Sequence, residues 1–411
     1  MAASRRYRIR THDVRTAYLH GILDRTVYMQ QPDGFQKGTE GGVCKLLKSL
    51  YGLPQSGRCW FLKLRQVLLS AGLNQSYSDP CVFFKRDGED LLALTSHVDD
   101  LLEIGPDKMW EEVYHVIKKQ IDIVEVKHDV YLGIGLKIIP EGIFLHQTNY
   151  VDKLLDRYGM KACKFVKTPA LAVQTLDSYD DSPKCDKEKY QELLGSLLYL
   201  VSGTRVDIAF AVTNLARFSQ EPREMHWEAL KRIVRYLAGT KNNGLLFPWG
   251  KQESLTAATD ASWSVTHDAK GFSGYLVRAA RCLLSWKVQK QKLVAMSSAE
   301  SELLALVEGV RELIWIRGLL SEMGSKQVEY PIKLYTDSQA VINMVNNLGI
   351  SPRTKHYNRK LWFVRDEVVD KHNVILIFTK SEELEVDMLT KPLGNTLFQK
   401  HVNKLNLIGN T

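Results

Sequence analysis

No run of about 18 apolar residues, the length that a membrane-crossing helix needs, occurs anywhere in the 411 residues of this chain. The six cysteines, Cys44, Cys59, Cys81, Cys163, Cys185 and Cys282, show no CxxC spacing and no dense cluster. That pattern argues against a zinc site and against a disulfide framework, so reduced thiols and an intracellular compartment are expected. The start, MAASRRYRIRTHD, is basic but lacks the apolar stretch of a secretory signal. No segment repeats at a fixed period, which excludes a solenoid. What is present is an ordinary globular composition, 45% hydrophobic and 25% charged. At roughly 150 residues per domain, the length fits two or three domains. The net charge of +8 fits an anionic partner, and equally a mildly basic enzyme.

The stretch that organises the rest is Leu91–Gly105, LLALTSHVDDLLEIG. Leu91–Val98 and Leu101–Ile104 read as the arms of a buried β-hairpin, too short for two helices. The adjacent carboxylates Asp99 and Asp100 fall at its tip. A rigid tip carrying two acids suits a hard cation such as magnesium, which takes one or two protein carboxylates and fills its other positions with water and phosphate. Asp-Asp is also an ordinary polar turn.

Before it come THDVRTAYLHG over 11–21 and SLYGLPQSGRCW over 49–60, a Gly/Pro-punctuated turn that leads into an amphipathic helix over 61–71. After it, a polar-faced helix is expected over 108–120 and a strand over Val130–Ile139, VYLGIGLKII. These blocks resemble the reverse transcriptase of copia-type LTR retrotransposons: Asp13–Gly21, Ser49–Gln55 and His97–Asp100 stand in the family's order, and the likeness runs from about Asp13 to the C-terminus. The resemblance implies a polymerase palm in which Asp13, Asp99 and Asp100 hold two metal ions for nucleotidyl transfer. It further implies Tyr18 beneath the incoming sugar, Gln55 on the nucleotide, and Tyr131 to Ile134, with Gly133 among them, near the primer end. Each also has a plain structural reading: core aromatic, turn residue, ordinary strand. His97 stands where the family has Tyr. The family carries a longer fingers segment upstream, with triphosphate-gripping cations that Arg5, Arg6, Arg8 and Arg10 do not match. Very slow or undetectable primer extension by this chain is therefore expected.

Residues 171–189 read as a polar linker and 190–247 as helices resembling the family's thumb and connection. On the helix His226–Arg235, Lys231, Arg232 and Arg235 lie beside Trp227, an arrangement that fits duplex phosphates and equally a solvated face with Trp227 packed inward.

From about residue 254 the character changes. LTAATDAS ends a strand in Asp260, residues 274–286 supply further strands, and 331–337 ends in Asp337 before a helix over 338–346. In the helix 297–320, Leu303, Val307, Val310 and Ile314 are spaced four, three and four, a core stripe. Asn373–Thr379 reads as a buried strand, and Asp387 as the opening of the last helix. TDASW, SSAESELLAL, YTDSQA, RTKH and VDMLTKPL resemble the ribonuclease H domain of the same elements. The resemblance implies a metal set of Asp260, Glu300, Asp337 and Asp387, two Mg²⁺ (or Mn²⁺) ions per active site. Ser297-x-x-Glu300 is also a capping box. Asn358 and Lys360 depart from the family after RTKH, and His356 is at most a substrate contact.

The expected fold class is multidomain α+β with α/β: an antiparallel palm with helices over 1–170, a linker and helical thumb/connection over 171–250, and a ribonuclease H-like domain over 251–411. The expected function is a reverse transcriptase/ribonuclease H fragment. Its partners would be an RNA–DNA hybrid, an RNA template, a DNA primer and dNTPs, without a membrane. The expected place is the cytoplasm, in a virus-like particle, or the nucleus. The alternative is a non-catalytic nucleic-acid-binding relic of such a polyprotein.

Overall fold

The computed structural model describes residues 1–38, 41–126, 129–172, 176, 181–250, 255–263, 266, 268–279, 282–324, 331–347 and 357–409. It is mixed α/β and divides into two compact units, Met1–Leu132 with Glu322–Gly324, and Gly133–Ser321 with the remainder of the chain. No helix among the described residues is long and apolar enough to cross a membrane. His356 and the rest of RTKH lie outside the described residues, as does much of the expected linker.

The first unit is built on a six-stranded antiparallel sheet, ordered Asn74–Gln75, Val82–Asp87, Asp90–His97, Asp100–Gly105, Arg8–Val14, Ile123–Val126. The expected hairpin is its centre. Helices Ser56–Ser70 and Asp107–Lys118 cover the sheet through Trp60, Leu64, Val67, Trp110, Val113 and Ile117, which meet Leu92, Leu94 and Leu101. Side chains alternate along a strand. On Arg8–Val14 the buried positions are Arg10, His12 and Val14, and on Asp100–Gly105 they are Leu101, Glu103 and Gly105. The same alternation puts Asp13 and Asp100 on the other, more open face.

The run Val130–Ile139 is not one strand. It breaks into Val130–Tyr131 and Ile134–Ile139 because Leu132 and Gly133 both take positive φ, 49° and 79°. Consecutive positive φ values make a two-residue turn. The first compact unit ends there, so residues 133–170, read as palm from the sequence, pack in the second unit.

In the second unit the antiparallel strands Ile134–Ile139, Gly142–His146, Asn243–Pro248 and Leu407–Gly409 lie side by side. Helices Thr148–Arg157, Lys187–Gly203, Ala209–Ala216 and Glu224–Gly239 share one core with the C-terminal region. Leu197, Leu200, Val234 and Leu237 belong to the same buried cluster as Leu276, Leu389 and Leu405. A second sheet is ordered Cys282–Lys290, Phe272–Ala279, Leu255–Ala261, Ile332–Thr336, Val374–Phe378. Its first three strands are antiparallel; Leu255–Ala261, Ile332–Thr336 and Val374–Phe378 run parallel. The helix Ser298–Glu322 lies on this sheet so closely that a Cβ at Gly309 would sit 2.3 Å from Thr259 Cγ2. Asp387 does not open the last helix. It sits in a 3₁₀ turn, Glu385–Leu389, and the helix follows at Asn395–Lys404. Pro392 and Gly394 fall between the two, and proline ends helical continuity by withholding an N–H.

Candidate active sites

In the first unit Asp13 is directly opposite Asp100 in the antiparallel register. Such partners hold their Cβ atoms about 4.5–5.5 Å apart, and like charges there repel. The carboxyl of Asp100 is raised above its ordinary range, first by burial and then by the charges of Asp99 and Asp13; His97 opposes the shift. The turn is tight and strained. Val98, a β-branched residue, takes φ 57°, a conformation costly for that side chain. Two bonds hold it: the Trp60 indole donates to Val98 O at 2.6 Å, and the Val14 amide donates to Asp99 O at 2.9 Å. Sequence reasoning missed Trp60, although a buried indole that needs an acceptor is a legible signal.

The Asp13–Gly21 and Ser49–Gln55 blocks meet in space. Ser49 Oγ donates to Tyr18 O, and the Ser49 amide donates to Gly21 O at 2.9 Å. Tyr18 stacks obliquely on Tyr51, ring centroids 4.8 Å apart, and is half-buried rather than a core aromatic. Gly21 must lack a side chain: a Cβ would lie 2.9 Å from Trp60 N and Cys59 C, on the backbone of helix Ser56–Ser70. Gln55 is the residue before that helix, partly exposed, and its side chain makes no capping bond. Tyr131 is tied to the hairpin through Thr95, and its hydroxyl pKa is raised, first by burial and then by the charge of Asp100 among others. Gly133 faces Tyr199 Oη, where a Cβ would come within 1.9 Å.

The second constellation is tighter. Asp260 closes strand Leu255–Ala261, and Asp337 follows strand Ile332–Thr336. These neighbours are parallel, so both carboxylates leave the sheet at the same edge. The third acid is Glu302, not the expected Glu300. Oxygens of Asp260, Glu302 and Asp337 all lie within 4.8 Å of one another. Glu300 serves the helix start: the Met296 amide donates to its Oε2 at 2.7 Å, and its own amide donates to Ser297 Oγ at 3.2 Å. The signal for Glu302 was the other half of the helix stripe. Glu302, Leu306, Gly309 and Leu313 are spaced four, three and four and are buried on the sheet.

Burial is the main force on Asp260 and Glu302. It raises Asp260 to about 7, with Thr390 opposing and Asp387 and Asp337 adding. It raises Glu302 to about 10, with the charges of Asp260 and Asp337 adding. Thr390 Oγ1 donates to Asp260 Oδ2, whereas Glu302 Oε2 is buried with no hydrogen-bond partner among the described residues. An all-oxygen set, mutually repelling, with one lone buried acceptor, fits a hard divalent cation. Asp387 is buried next to the trio but outside it. Its Oδ1 is ion-paired with Lys391 and accepts from Ser381 Oγ at 3.1 Å.

Lys231, Arg232 and Arg235 on the basic helix each have a partner among the described residues. Lys231 is ion-paired with Glu228, Arg235 Nε donates to Lys164 O at 2.8 Å, and an Arg232 Nη donates to Thr168 Oγ1 at 3.0 Å. Trp227 packs against the core and lies 6.3 Å from the Tyr158 ring. Arg232 and Arg235 fasten the 160s segment to the helix, whereas Lys231 pairs within its own helix and stays partly exposed.

Residues 1–172 match the family described as reverse transcriptase (RNA-dependent DNA polymerase). The chain is 36% identical over 413 residues to a retrovirus-related Pol polyprotein from transposon TNT 1-94 of Nicotiana tabacum, covering 97% of this chain and 31% of that protein. It is 34% identical to the retrovirus-related Pol polyprotein from transposon RE2 of Arabidopsis thaliana, covering 99% of this chain and 28% of that one. The chain thus spans about a third of the length of these relatives. Among solved structures, a crystal structure of LC11-RNase H1 in complex with RNA/DNA hybrid aligns with 36% of this chain and 99% of that chain, at 15% identity and TM-score 0.25.

Proposed function

Since the chain belongs to the copia-type retrotransposon Pol polyproteins, we propose that it hydrolyses the RNA strand of RNA–DNA hybrids at the Asp260–Glu302–Asp337 cluster, and that Asp13, Asp99 and Asp100 form a nucleotidyl-transfer site. The convergence of three carboxylates within 4.8 Å around an unpartnered Glu302 oxygen carries the first half. Asp260, Glu302 and Asp337 would hold Mg²⁺ or Mn²⁺, with Asp387 adjacent. Bound there, the ions supply an acidified water and stabilise charge at the scissile phosphate. Thr390 orients Asp260 through its hydroxyl, the Ala261 amide bonds Glu302, and Lys391 offsets the charge of Asp387. In the polymerase site, the Trp60–Val98 bond fixes the turn that aims Asp99, and Tyr18 on Tyr51 offers an aromatic wall for a nucleotide sugar.

The discriminating experiment uses hybrid cleavage in magnesium by the full chain. Glu302→Gln is expected to abolish cleavage, whereas Glu300→Gln, whose side-chain carbonyl still accepts from the Met296 amide, is expected to retain most of it with a melting temperature near wild type. The reverse ranking would return the third ligand to Glu300.

A further inference from the structure

Beyond the acids lies an apolar surface that no part of the reaction just described uses. Trp263 is 50% exposed, Leu293 55%, Val294 47% and Met296 76%. They form one patch: the Trp263 indole donates to Ala295 O at 2.9 Å, seating its ring on the loop that carries the other three. The loop is anchored at both ends. Gln291 Nε2 donates to Ser273 Oγ at 2.9 Å and to Ser301 O at 3.0 Å, and the Met296 amide donates to Glu300. Ser301 Oγ in turn donates to Ser262 O at 2.9 Å. That bond joins the residue before Glu302 to the residue before Trp263. The patch is therefore rigidly tied to the acid cluster and flanks it.

We propose that this patch is a shelf for the sugar edges of a nucleic-acid strand as it passes the acid cluster, the partner being an RNA–DNA hybrid. The inference rests on the hydrolytic reading of the neighbouring acids. A phosphodiester held there has nucleotides on either side, spaced about 3.4 Å along the helix axis, and they must cross whatever borders the site. In a paired strand the base faces are stacked away, so the apolar surface offered to a protein is the sugar edge. A wide, shallow A-like minor groove displays it, and a narrow B-form groove hides it. An exposed indole held by its N–H keeps its ring fixed and presents a flat face at little entropic cost. Lys292, exposed on the same loop, supplies a cation for the adjoining phosphates.

The test is hybrid binding by the full chain in EDTA, where no cutting occurs, followed by anisotropy at several salt concentrations. Trp263→Ala is expected to weaken binding at least about fivefold, within the range known for aromatic contacts to nucleic acid. Trp263→Phe, which keeps a flat ring but loses the N–H bond to Ala295 O, should bind between the wild type and Trp263→Ala, and Met296→Ser should weaken binding without changing the melting temperature. None of the three should change the salt slope, because no phosphate contact is lost, whereas Lys292→Ala should reduce it by about one. Wild-type-like affinity in both Trp263→Ala and Met296→Ser overturns the shelf. So does equal weakening by Phe and Ala with a lowered melting temperature, which would make Trp263 structural. Failure of the hydrolytic reading is seen separately: the wild type would bind hybrid through the shelf and not cut it in magnesium.

Discussion

At the scale of single residues, the two candidate sites differ in how they handle repulsion. Asp260, Glu302 and Asp337 crowd three carboxylates within 4.8 Å of one another, two of them buried, so replacing one of them should relieve the metal-free protein. Asp337→Asn is expected to abolish hybrid cleavage while leaving the melting temperature in EDTA unchanged or slightly raised. A large fall in melting temperature would mean that Asp337 is held by structure rather than by function. In the first unit the buried Glu103 accepts from Arg10 at 2.7 Å, yet its carboxyl is raised to about 7, because burial outweighs the Arg10 charge. Its folded pKa thus lies above the usual value of about 4.3. The stability it contributes is present below about pH 4 and is lost as pH rises toward 7. Chemical denaturation between pH 5 and 8 should show the wild type weakening with rising pH, and Glu103→Gln should flatten part of that slope. A slope that survives intact would clear Glu103 of the effect.

Elements are held by contacts that cannot be read from their own sequence. Gly21→Ala would drive a methyl against the helix Ser56–Ser70 and into Ser49, and overpacking of this kind costs typically 1–3 kcal/mol. The measurable outcome is a lowered denaturation midpoint together with weaker nucleotide binding, since Ser49 also holds Tyr18. In the second unit Arg205 and Asp207 form a two-pronged ion pair, at 3.0 and 2.7 Å, with no exposed side-chain surface. Tyr236 donates to Asp207 at 2.7 Å, and Arg205 donates to Thr240 O at 3.0 Å. The group ties the turn before Ala209–Ala216 to the end of Glu224–Gly239. Asp207→Asn leaves the guanidinium buried without its partner charge, and about 3–5 kcal/mol of stability should be lost. A midpoint near wild type would show that the network relaxes or admits water.

For the whole molecule, the net charge of +8 and the proposed polyanionic partner set the expectation. Hybrid affinity should fall steeply with salt and vary little when the duplex sequence is exchanged at fixed length. A strong preference for one sequence would indicate base readout and a different kind of protein. The break after Leu132 falls in a turn of two positive φ values, one of them a leucine, which no propensity marks.

The sequence by itself determined the order of the blocks that resemble the family, the central hairpin with Asp99 at its tip, and the strand-end placement of Asp260 and Asp337. Local pattern suffices there, because alternation, turn chemistry and motif spacing are properties of neighbours along the chain. Tertiary structure showed that Glu302, rather than Glu300, lies with Asp260 and Asp337, although the helix stripe held a signal for it. Both sit in the first turns of one helix, and only the direction of the sheet beneath it distinguishes the capping carboxylate from the one facing Asp260. It also decided that Arg232 and Arg235 bond the 160s segment, that Trp60 pins the turn before Asp99, and that residues 133–170 pack in the second unit. Each of these is a contact between residues distant in sequence, where burial and available partners, rather than propensity, set the outcome.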